Sequence, residues 1–362
     1  MQKYRILIVG AGIAGAAAGA LLGRSGHDVT VVERSEGVRS SGSPVDIRGD
    51  ALEVVRGLGL EAAARERDTG ARTLALVGRD GRPFTTIGMR GDPADIEIAR
   101  VDLASVLAGA TAEVAEVRFG DTFADLVVDA GGVGVQFASG RHARFDLVIG
   151  ADGQNSATRR TLWGVDAAYR RAPRLAIATA PLSLEIEDPR VVEMYNEPGV
   201  SVTIHPAGGR PGVAFIFRTA EAPADRAAQI ALLRRRYAST GWRAAEFLAA
   251  LDDVPDVYFD RVRRVAARSW AHGPVTLLGD AASSLTILGE GSSMAILGAR
   301  ALDRALREAP DVPAALAAYE ARHRPVVERA QNGAALGAAF LVPAGATGLG
   351  VRDLVARALR RL

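Results

Sequence analysis

The first 33 residues constrain the fold more than any other stretch of the chain. An apolar run rich in β-branched residues over positions 4–9 predicts a buried strand, and it leads directly into a glycine turn at 10–15. An alanine-rich stretch to about Arg24 predicts a helix, and a second apolar run over 28–32 predicts a strand that ends at Glu33. This order of elements predicts a dinucleotide-binding βαβ unit, and the simpler alternative is a glycine-rich turn without a ligand.

Each glycine of the turn has a separate physical role. Gly10 allows the tight turn, Gly12 lets the backbone approach a pyrophosphate, and Gly15 lets the helix pack closely on the sheet. The helix N-terminus presents free N–H groups to the phosphates, and the carboxylate of Glu33 can accept both hydroxyls of an adenine ribose. An acid at this position argues against a 2′-phosphate, so these residues alone leave FAD and NAD as candidate ligands.

Composition bounds the class of protein. With 362 residues the chain is long enough for two or three domains, and 48% hydrophobic and 24% charged residues are usual for a globular protein. The net charge of +2 gives no reason to expect a nucleic-acid partner. Since the chain has no cysteine and five scattered histidines, we expect no disulfide and no metal site.

Two stretches bear on localisation. The N-terminus enters the first predicted strand without a signal peptide. The low-charge stretch 332–349 contains Pro343 and several glycines, and it is too interrupted to cross a bilayer. We therefore expect a cytoplasmic enzyme without stable membrane insertion, either a monomer or a homodimer.

The remaining patterns predict an α/β fold with a second module inserted in the first. Period-two patterns over 73–87 and 171–218, followed by two helical patterns to about 251, predict an α+β module. Residues 114–138 predict a meander of three strands, and 145–149 predict another buried strand. We expect three parts in the chain. A discontinuous Rossmann-like FAD-binding domain covers 1–70, 96–170 and 268–345, and a substrate-binding domain covers 71–95 and 171–267. A C-terminal amphipathic helix covers 346–362.

Three glycine-rich turns each follow a predicted buried strand, at 10–15, 150–153 and 279–291. In an open α/β sheet, ligands lie at the carboxyl ends of such strands. Three converging turns are more than NAD needs, and they suit the long ribityl-pyrophosphate arm of FAD. The sequence therefore favours an FAD-binding domain.

The same turns resemble the three motifs of the class A flavoprotein monooxygenases, the single-component FAD enzymes similar to aromatic hydroxylases. The matching segments are 10–15 with Glu33-Arg34, then Asp146-Leu147-Val148-Ile149-Gly150-Ala151-Asp152-Gly153-Gln154-Asn155-Ser156-Ala157-Thr158-Arg159, and Leu278-Gly279-Asp280-Ala281-Ala282. The resemblance covers the FAD-binding part, about half to two-thirds of the chain. It implies a Rossmann-like FAD-binding domain of the GR2/PHBH-like type, while the substrate module carries no matching motif.

The resemblance implies a role for each matching residue. Asp280 resembles the carboxylate that binds the ribityl chain, although an aspartate here also suits a helix N-cap. Arg100 resembles an FAD-contacting arginine, and a surface arginine is the alternative. Asp152 and Arg159 are similar to a pair that links flavin and NADPH binding, and a structural salt bridge is the alternative. The expected FAD-binding residues are Gly10, Gly12, Ile13, Ala14, Gly15, Glu33, Arg34, Arg100, Asp152, Gly153, Arg159, Gly279, Asp280, Gly289, Gly291 and Ser292.

The third motif also departs from the family. Ser283 stands where the family has a histidine, Thr286 and Ile287 stand in its proline region, and the segment is one residue short. The helix that begins near Gly291 is expected to face the pyrimidine edge of the flavin and to stabilise its anionic reduced form. The departure puts the contacts of residues 285–288 and the mobility of the flavin in doubt, but not FAD binding.

The resemblance implies an oxygenation reaction. NADPH or NADH would reduce FAD, O2 would add to give a flavin C4a-hydroperoxide, and the oxygen would pass to an aromatic or polyketide-like substrate. Two alternatives keep the cofactor: an FAD-linked dehydrogenase or oxidase, and a biosynthetic protein that uses FAD structurally without redox turnover. A flavin halogenase is not expected, because the WxWxIP-like signature of that class is absent. Trp163, Trp242 and Trp270 each stand alone in the sequence.

No residue is assigned a catalytic role from the sequence. His205 lies in the inserted sheet and is a candidate base for deprotonating a phenol, but a structural role is favoured. Strand alternation places only half of each strand toward the flavin, so core packing is favoured for each strand candidate. The substrate-pocket candidates are Arg48, Met194, Tyr195, His205, Phe215 and Phe217.

Overall fold

The computed structural model describes residues 2–38, 43–89, 91–164, 169–170, 174–255, 257–284 and 291–359. Within these ranges the strands are β1 (Arg5–Val9), β2 (Asp28–Glu33), β3 (Pro44–Ile47), β4 (Thr73–Val77), β5 (Pro83–Gly88), β6 (Ile96–Ala99), β7 (Glu116–Phe119), β8 (Phe123–Asp129), β9 (Gly132–Phe137), β10 (His142–Phe145), β11 (Leu147–Gly150), β12 (Tyr169–Arg170), β13 (Leu175–Pro181), β14 (Val191–Glu197), β15 (Val200–His205), β16 (Gly212–Arg218), β17 (Tyr258–Arg261), β18 (Arg264–Val265), β19 (Ala271–His272) and β20 (Val275–Leu277). The α-helices are α1 (Ile13–Arg24), α2 (Asp50–Gly57), α3 (Glu61–Arg65), α4 (Arg100–Ala112), α5 (Ala157–Trp163), α6 (Arg226–Tyr237), α7 (Ala244–Ala250), α8 (Gly291–Glu308), α9 (Val312–Leu341) and α10 (Ala346–Leu359).

The nucleotide-binding half is built on a sheet with the strand order β19-β20-β11-β1-β2-β7. All pairs are parallel except that of β19 with β20. The central strands are buried along almost their whole length, as expected for parallel strands covered on both faces. Because they are parallel, the turns after β1, β2, β11 and β20 all lie at one edge of the sheet.

Different layers cover the two faces of this sheet. On one face α1 packs between α4 and α8. The α1–α4 approach is close because Gly19 has no side chain, and a Cβ there would lie 2.5 Å from the methyl group of Thr111. On the other face the antiparallel sheet β10-β9-β8 buries Phe137 and Phe145. The meander predicted over 114–138 is wrong in its first strand, because β7 pairs in parallel with β2 instead.

A second large sheet has the order β17-β13-β16-β15-β14-β4-β5. It takes its strands from the two segments assigned by sequence to the substrate domain, whose exact bounds stay a prediction. Its side chains alternate between two faces. We call the face that carries Val202 and Phe215 the outer face, and the face that carries Thr203 and His205 the inner face.

The outer face is a closed hydrophobic core. Phe215 and Phe217 pack edge-on against Tyr237 of α6, and Phe247 of α7 completes the cluster. Tyr195 lies on the same face with its ring 6.0 Å from that of Trp242. Helix α6 begins where Asp225 accepts a hydrogen bond from the backbone N–H of Ala228, the usual role of an N-cap aspartate.

The C-terminal helix α10 packs on the second sheet, but not through its largest apolar side chains. Val351, Leu354 and Val355 are exposed, and Leu354 is 70% exposed. The buried face carries Arg352 and the small Ala356, which contacts the inner-face residue Met194. Arg352 can be buried because its guanidinium donates to Asn196 and to Asp353. Residues 360–362 lie outside the described residues.

The structure also bears on membrane association. Among the described residues, α9 and α10 have together the length and apolar character of a membrane span, but they bend by 101° at their break. No single described helix meets both criteria.

The burial pattern of α10 predicts a clear order of two substitutions. Arg352→Ala removes hydrogen bonds to buried partners and should lower the free energy of unfolding by about 2–3 kcal/mol. Leu354→Ala, on the exposed face, should change it by less than about 0.5 kcal/mol. Urea denaturation followed by circular dichroism measures both, and the reverse order would mean that α10 packs through its apolar face.

Candidate functional site

The first glycine turn is packed so tightly that only glycine fits at two positions. Gly10 has a φ of +103°, and a Cβ there would lie 2.6 Å from the carbonyl oxygen of Ala151. A Cβ on Gly15 would lie 1.8 Å from the carbonyl oxygen of Gly10. Gly12 precedes α1, and no atom lies within 4 Å of a Cβ built on it, so a ligand can approach its backbone. With Ile13 and Ala14 this forms a helix N-terminus suited to an anion.

Glu33 ends β2 next to this turn. Its carboxylate accepts hydrogen bonds from the backbone N–H groups of Ala11 and Ser35, both at 3.0 Å. A carboxylate has about four acceptor sites, so two remain for ribose hydroxyls. The two backbone contacts hold Glu33 at the turn, whereas the side chain of Arg34 is exposed.

The second motif is a capped turn. Asp152 accepts from Ser156 Oγ at 2.5 Å and from the backbone N–H and the hydroxyl of Thr158 at 2.9 and 3.1 Å. These hydrogen bonds tie Asp152 to the residues that open α5. Its pairing with Arg159, as a link between flavin and NADPH binding or as a structural salt bridge, stays a prediction. Gly153 has a φ of +77° and turns the chain toward α5.

Arg159 connects the second motif to the third. Its side chain is buried, and it donates to the carbonyl oxygens of Gln154 at 2.6 Å and Ala281 at 2.7 Å. A guanidinium with rigid donors suits such a bridge between two loops. The link of Arg159 to NADPH binding stays a prediction.

The third motif lies against the first. Gly279 has a φ of +60°, and a Cβ there would lie 2.6 Å from the Cβ of Ala14. The strand before it is anchored by Tyr319 of α9, whose hydroxyl donates to the carbonyl oxygen of Leu277 at 3.1 Å. The three turns therefore touch each other at one edge of the sheet.

Asp280 and Arg100 form the charged part of the site. The guanidinium of Arg100, at the start of α4, lies 4.0 Å from the carboxylate of Asp280. Burial raises the pKa of Asp280, and the charge of Arg100 opposes that rise. Both side chains remain partly accessible, so each can also contact a ligand.

The start of α8 belongs to the same site as the three turns. Ser292 is buried, and Ser293 donates from Oγ to the carbonyl oxygen of Asp46 at 2.8 Å. Gly291 is the first residue of α8. Gly289 and residues 285–288, including the atypical Thr286 and Ile287, lie outside the described residues.

These groups fit FAD. The helix N-terminus at Gly12 suits a pyrophosphate, Glu33 suits the adenine ribose, and Asp280 with Arg100 offers an acceptor and donors to a polyol chain. The close contacts of Gly10, Gly15 and Gly279 leave backbone rather than side chains beside the ligand path. Among the described residues no cluster of three metal-ligating side chains occurs.

The structure separates the substrate-pocket candidates. Tyr195, Phe215 and Phe217 lie on the outer face, which is the core packing that the sequence favours for the strand candidates. The two phenylalanines pack with α6 and α7, and Tyr195 packs against Trp242. The reason is strand parity: their positions point away from the nucleotide-binding half. Met194 lies on the inner face but is covered by Ala356 of α10.

The other two substrate-pocket candidates, His205 and Arg48, lie between the nucleotide-binding half and the second sheet. His205 Nε2 is 2.9 Å from Glu97 Oε1 of β6. Arg48 forms an ion pair with Asp46 at 2.9 Å, lies 3.8 Å from Asp95, and donates to the carbonyl oxygen of Met89. Both are held by partners of the protein at the base of the inner face.

Two acids at this place were missed in the sequence. Asp46 and Glu97 lie directly opposite each other in the β3–β6 pair, and both are largely buried. The pKa of Asp46 is raised to about 6: burial is the largest cause, Glu97 and Asp95 add to the rise, and Arg48 opposes it. The available signal was an acid inside an apolar run, Val45-Asp46-Ile47 and Ile96-Glu97-Ile98.

A further polar cluster joins the second motif to β17. Gln154 donates to Asp260, and Arg263 donates to Asn155 at 2.8 Å. The hydroxyl of Tyr258 donates to Asp260 at 3.0 Å, and burial raises the pKa of Tyr258. The edge strand of the second sheet therefore lies over the second and third motifs.

Comparison with known proteins agrees with this geometry. The chain matches the family model described as an FAD binding domain over residues 3–334. It is 37% identical over 339 residues to an uncharacterised protein of Mycobacterium tuberculosis, covering 90% of this chain and 91% of that protein. It is 30% identical over 337 residues to a flavin-dependent monooxygenase of an unknown prokaryotic organism, covering 90% and 87%.

A solved structure is also similar along nearly the whole chain. The crystal structure of tetracycline destructase Tet(55) superposes with a TM-score of 0.86 at 28% identity, covering 99% of this chain and 96% of the other. The similarity includes both sheets and the C-terminal helices, since almost no part of the chain falls outside it.

The tight turn predicts the effect of one added methyl group. Gly15→Ala should raise the Kd for FAD by at least about tenfold, because its Cβ meets backbone that cannot move aside. Gly109→Ala in α4 is the matched control, since its Cβ would meet no atom within 4 Å and alanine favours a helix. Fluorescence titration of each apoprotein with FAD measures both, and equal Kd values would contradict the packing described.

The raised pKa of Asp46 predicts a pH dependence of stability. The folded protein holds this proton more tightly than the unfolded chain, so its stability falls as the pH rises from about 4 to about 6. Asp46→Asn removes this pH dependence. At about pH 6 its free energy of unfolding should exceed that of the wild type by on the order of 1–3 kcal/mol. Urea unfolding at several pH values measures it, with the exposed Asp50→Asn as control. If the stability of Asp46→Asn and of the wild type depended on pH in the same way, the raised pKa of Asp46 would be contradicted.

Proposed function

The chain belongs to the FAD-dependent monooxygenase family, and on this premise we propose that it hydroxylates an aromatic or polyketide-like small molecule with NADPH or NADH and O2. One observation carries the proposal. The three touching turns form one extended site, and the inner face of the second sheet lies across from them. A cofactor at the turns and a substrate under the sheet would then meet.

Bound FAD would accept a hydride from the nicotinamide cofactor and then activate O2 for transfer of one oxygen atom, by the route that the sequence resemblance implies. The protein supplies binding and orientation. The N-terminus of α1 would hold the pyrophosphate, Glu33 the adenine ribose, and Asp280 with Arg100 the ribityl chain. The start of α8, with Ser292, would place a positive dipole end beside the ring system.

The inner face suits an aromatic substrate. Thr203, Ala214 and Thr179 form a row across three neighbouring strands, and their side chains are small. A row of small side chains leaves room for a flat ligand, and the hydroxyl of the partly exposed Thr179 offers a hydrogen bond to its oxygen atoms. The likeness to a tetracycline destructase supports a polyketide-like substrate, and tetracycline is therefore one of the probes in the test.

Water has to be kept from the reaction. Helices α9 and α10 close one end of the inner face, where Asn196 donates to the carbonyl oxygen of Leu341 at 2.7 Å and Arg218 donates to that of Val342 at 2.9 Å. Excluding water strengthens the electrostatic contacts around the reacting atoms and prevents loss of the activated oxygen.

The test is anaerobic stopped-flow reduction of the FAD-loaded protein by NADPH and by NADH, with tetracycline and a panel of phenols. We expect one class of compound to accelerate bleaching of the flavin, and aerobic turnover with it to consume one reductant for each hydroxylated product. Reduction with no hydroxylated product would indicate a dehydrogenase or oxidase. A flavin that stays oxidised with both reductants and every compound would contradict the proposal.

A variant pair links this activity to the site. Asp280→Asn should weaken FAD binding and lower the rate of reduction, because it removes the charge that faces Arg100. Asp252→Asn, at an exposed carboxylate in the second half of the chain, should leave both unchanged.

A further inference from the structure

A buried carboxylate joins the two halves of the molecule. Glu97 lies in β6 and is 6% exposed. The hydroxyl of Thr69 donates to its Oε1 at 2.5 Å, and His205 Nε2 of β15 lies 2.9 Å from the same atom. The histidine contact is a close approach without a hydrogen bond, since Nε2 is buried and has no hydrogen-bond partner among the described residues. A buried charge needs such partners, because an unpaired carboxylate is costly to remove from water.

The other ring nitrogen of His205 fixes the tautomer. The backbone N–H of Ala207 donates to Nδ1 at 2.9 Å, so Nδ1 is the acceptor and the ring proton lies on Nε2, the nitrogen that approaches Glu97. Both nitrogens are therefore engaged with the protein. This arrangement leaves His205 no free lone pair for a substrate proton, and it favours a structural role over that of a base.

The contact lies close to the cofactor site. Glu97 is three residues before Arg100, on a strand whose four residues are all buried. A second contact follows Arg100, where Arg210 of the β15–β16 connection forms an ion pair with Asp102. One connection of the second sheet thus holds the chain on both sides of Arg100, which itself lies 4.0 Å from Asp280.

We propose that Glu97 and His205 are positioning residues that hold Arg100 in place for FAD and hold the second sheet over the cofactor. The proposal rests on the FAD contact of Arg100 proposed above. Rigid placement of a contacting group by its supporting residues is the general requirement for such a site. The β3–β6 pair extends the effect to Arg48, since Glu97 lies opposite Asp46.

A double-mutant cycle on FAD affinity tests this, with no turnover required. Arg100→Gln should raise the Kd for FAD by about tenfold, and Glu97→Gln by about fivefold. If Glu97 acts through Arg100, the double variant should bind FAD about as Arg100→Gln alone does. An increase of about fiftyfold, the product of the two, would overturn the proposal because it means independent effects. So would a wild-type Kd for Arg100→Gln.

A second set of variants works from the histidine side. His205→Asn keeps an acceptor for the N–H of Ala207 but is too short to reach Glu97, whereas His205→Gln places an amide N–H near the position of Nε2. The Asn variant should weaken FAD binding as Glu97→Gln does, and the Gln variant should restore most of it. Equal Kd values for the Asn variant and the exposed control His142→Asn would overturn the proposal.

These readouts separate the proposal from the proposed function. FAD titration requires neither reductant nor substrate, so a protein that binds FAD but fails to hydroxylate any compound still tests the cycle. Urea midpoints of the apoproteins check that each variant is folded. If Glu97 and His205 had a merely structural role, their variants would have lower urea midpoints. Their effects on the Kd for FAD would then be independent of the substitution at Arg100.

Discussion

The close contact of three turns is the constraint on which the rest of the structure depends. The turns meet because β1, β11 and β20 are adjacent parallel strands, and because Gly10, Gly15 and Gly279 add no side chains between them. A single Cβ at any of these positions would separate turns that must lie together for one extended cofactor. The arrangement therefore joins packing to function directly, since the residues that let the layers touch also expose the backbone N–H groups that bind phosphate.

The second sheet is placed by polar contacts together with two small hydrophobic clusters against α9 and α10. Its outer face is closed by α6 and α7, and polar contacts to the nucleotide-binding half come from strand ends and connections. They include Glu97 with His205, Asp102 with Arg210, Asp260 with Gln154, and Asn155 with Arg263. Directional contacts at several points fix a distance and an angle, which a substrate held between two halves requires.

The sequence was informative where a local pattern has one physical solution. The turn 10–15, Glu33 and the later motifs at Asp152 and Asp280 lie together as a nucleotide site requires. It was uninformative about which face of a strand is the inner one, because alternation at Phe215 and Phe217 is the same for either orientation. The packed face of α10 is not evident from the sequence either, because the hydrogen bond to Asn196 that allows Arg352 to be buried joins distant parts of the chain. Asp46 and Glu97 were missed because their pairing depends on contacts between distant strands.

The crystal structure of the chain with bound FAD is the most direct measurement of the central claim. The account predicts the adenine ribose at Glu33, the pyrophosphate at the backbone N–H groups that follow Gly12, and the ribityl chain between Asp280 and Arg100. It also predicts the ring system beneath the inner face of the second sheet. FAD bound with its adenine away from Glu33, or with its ring system outside the space between the two halves, would contradict the account.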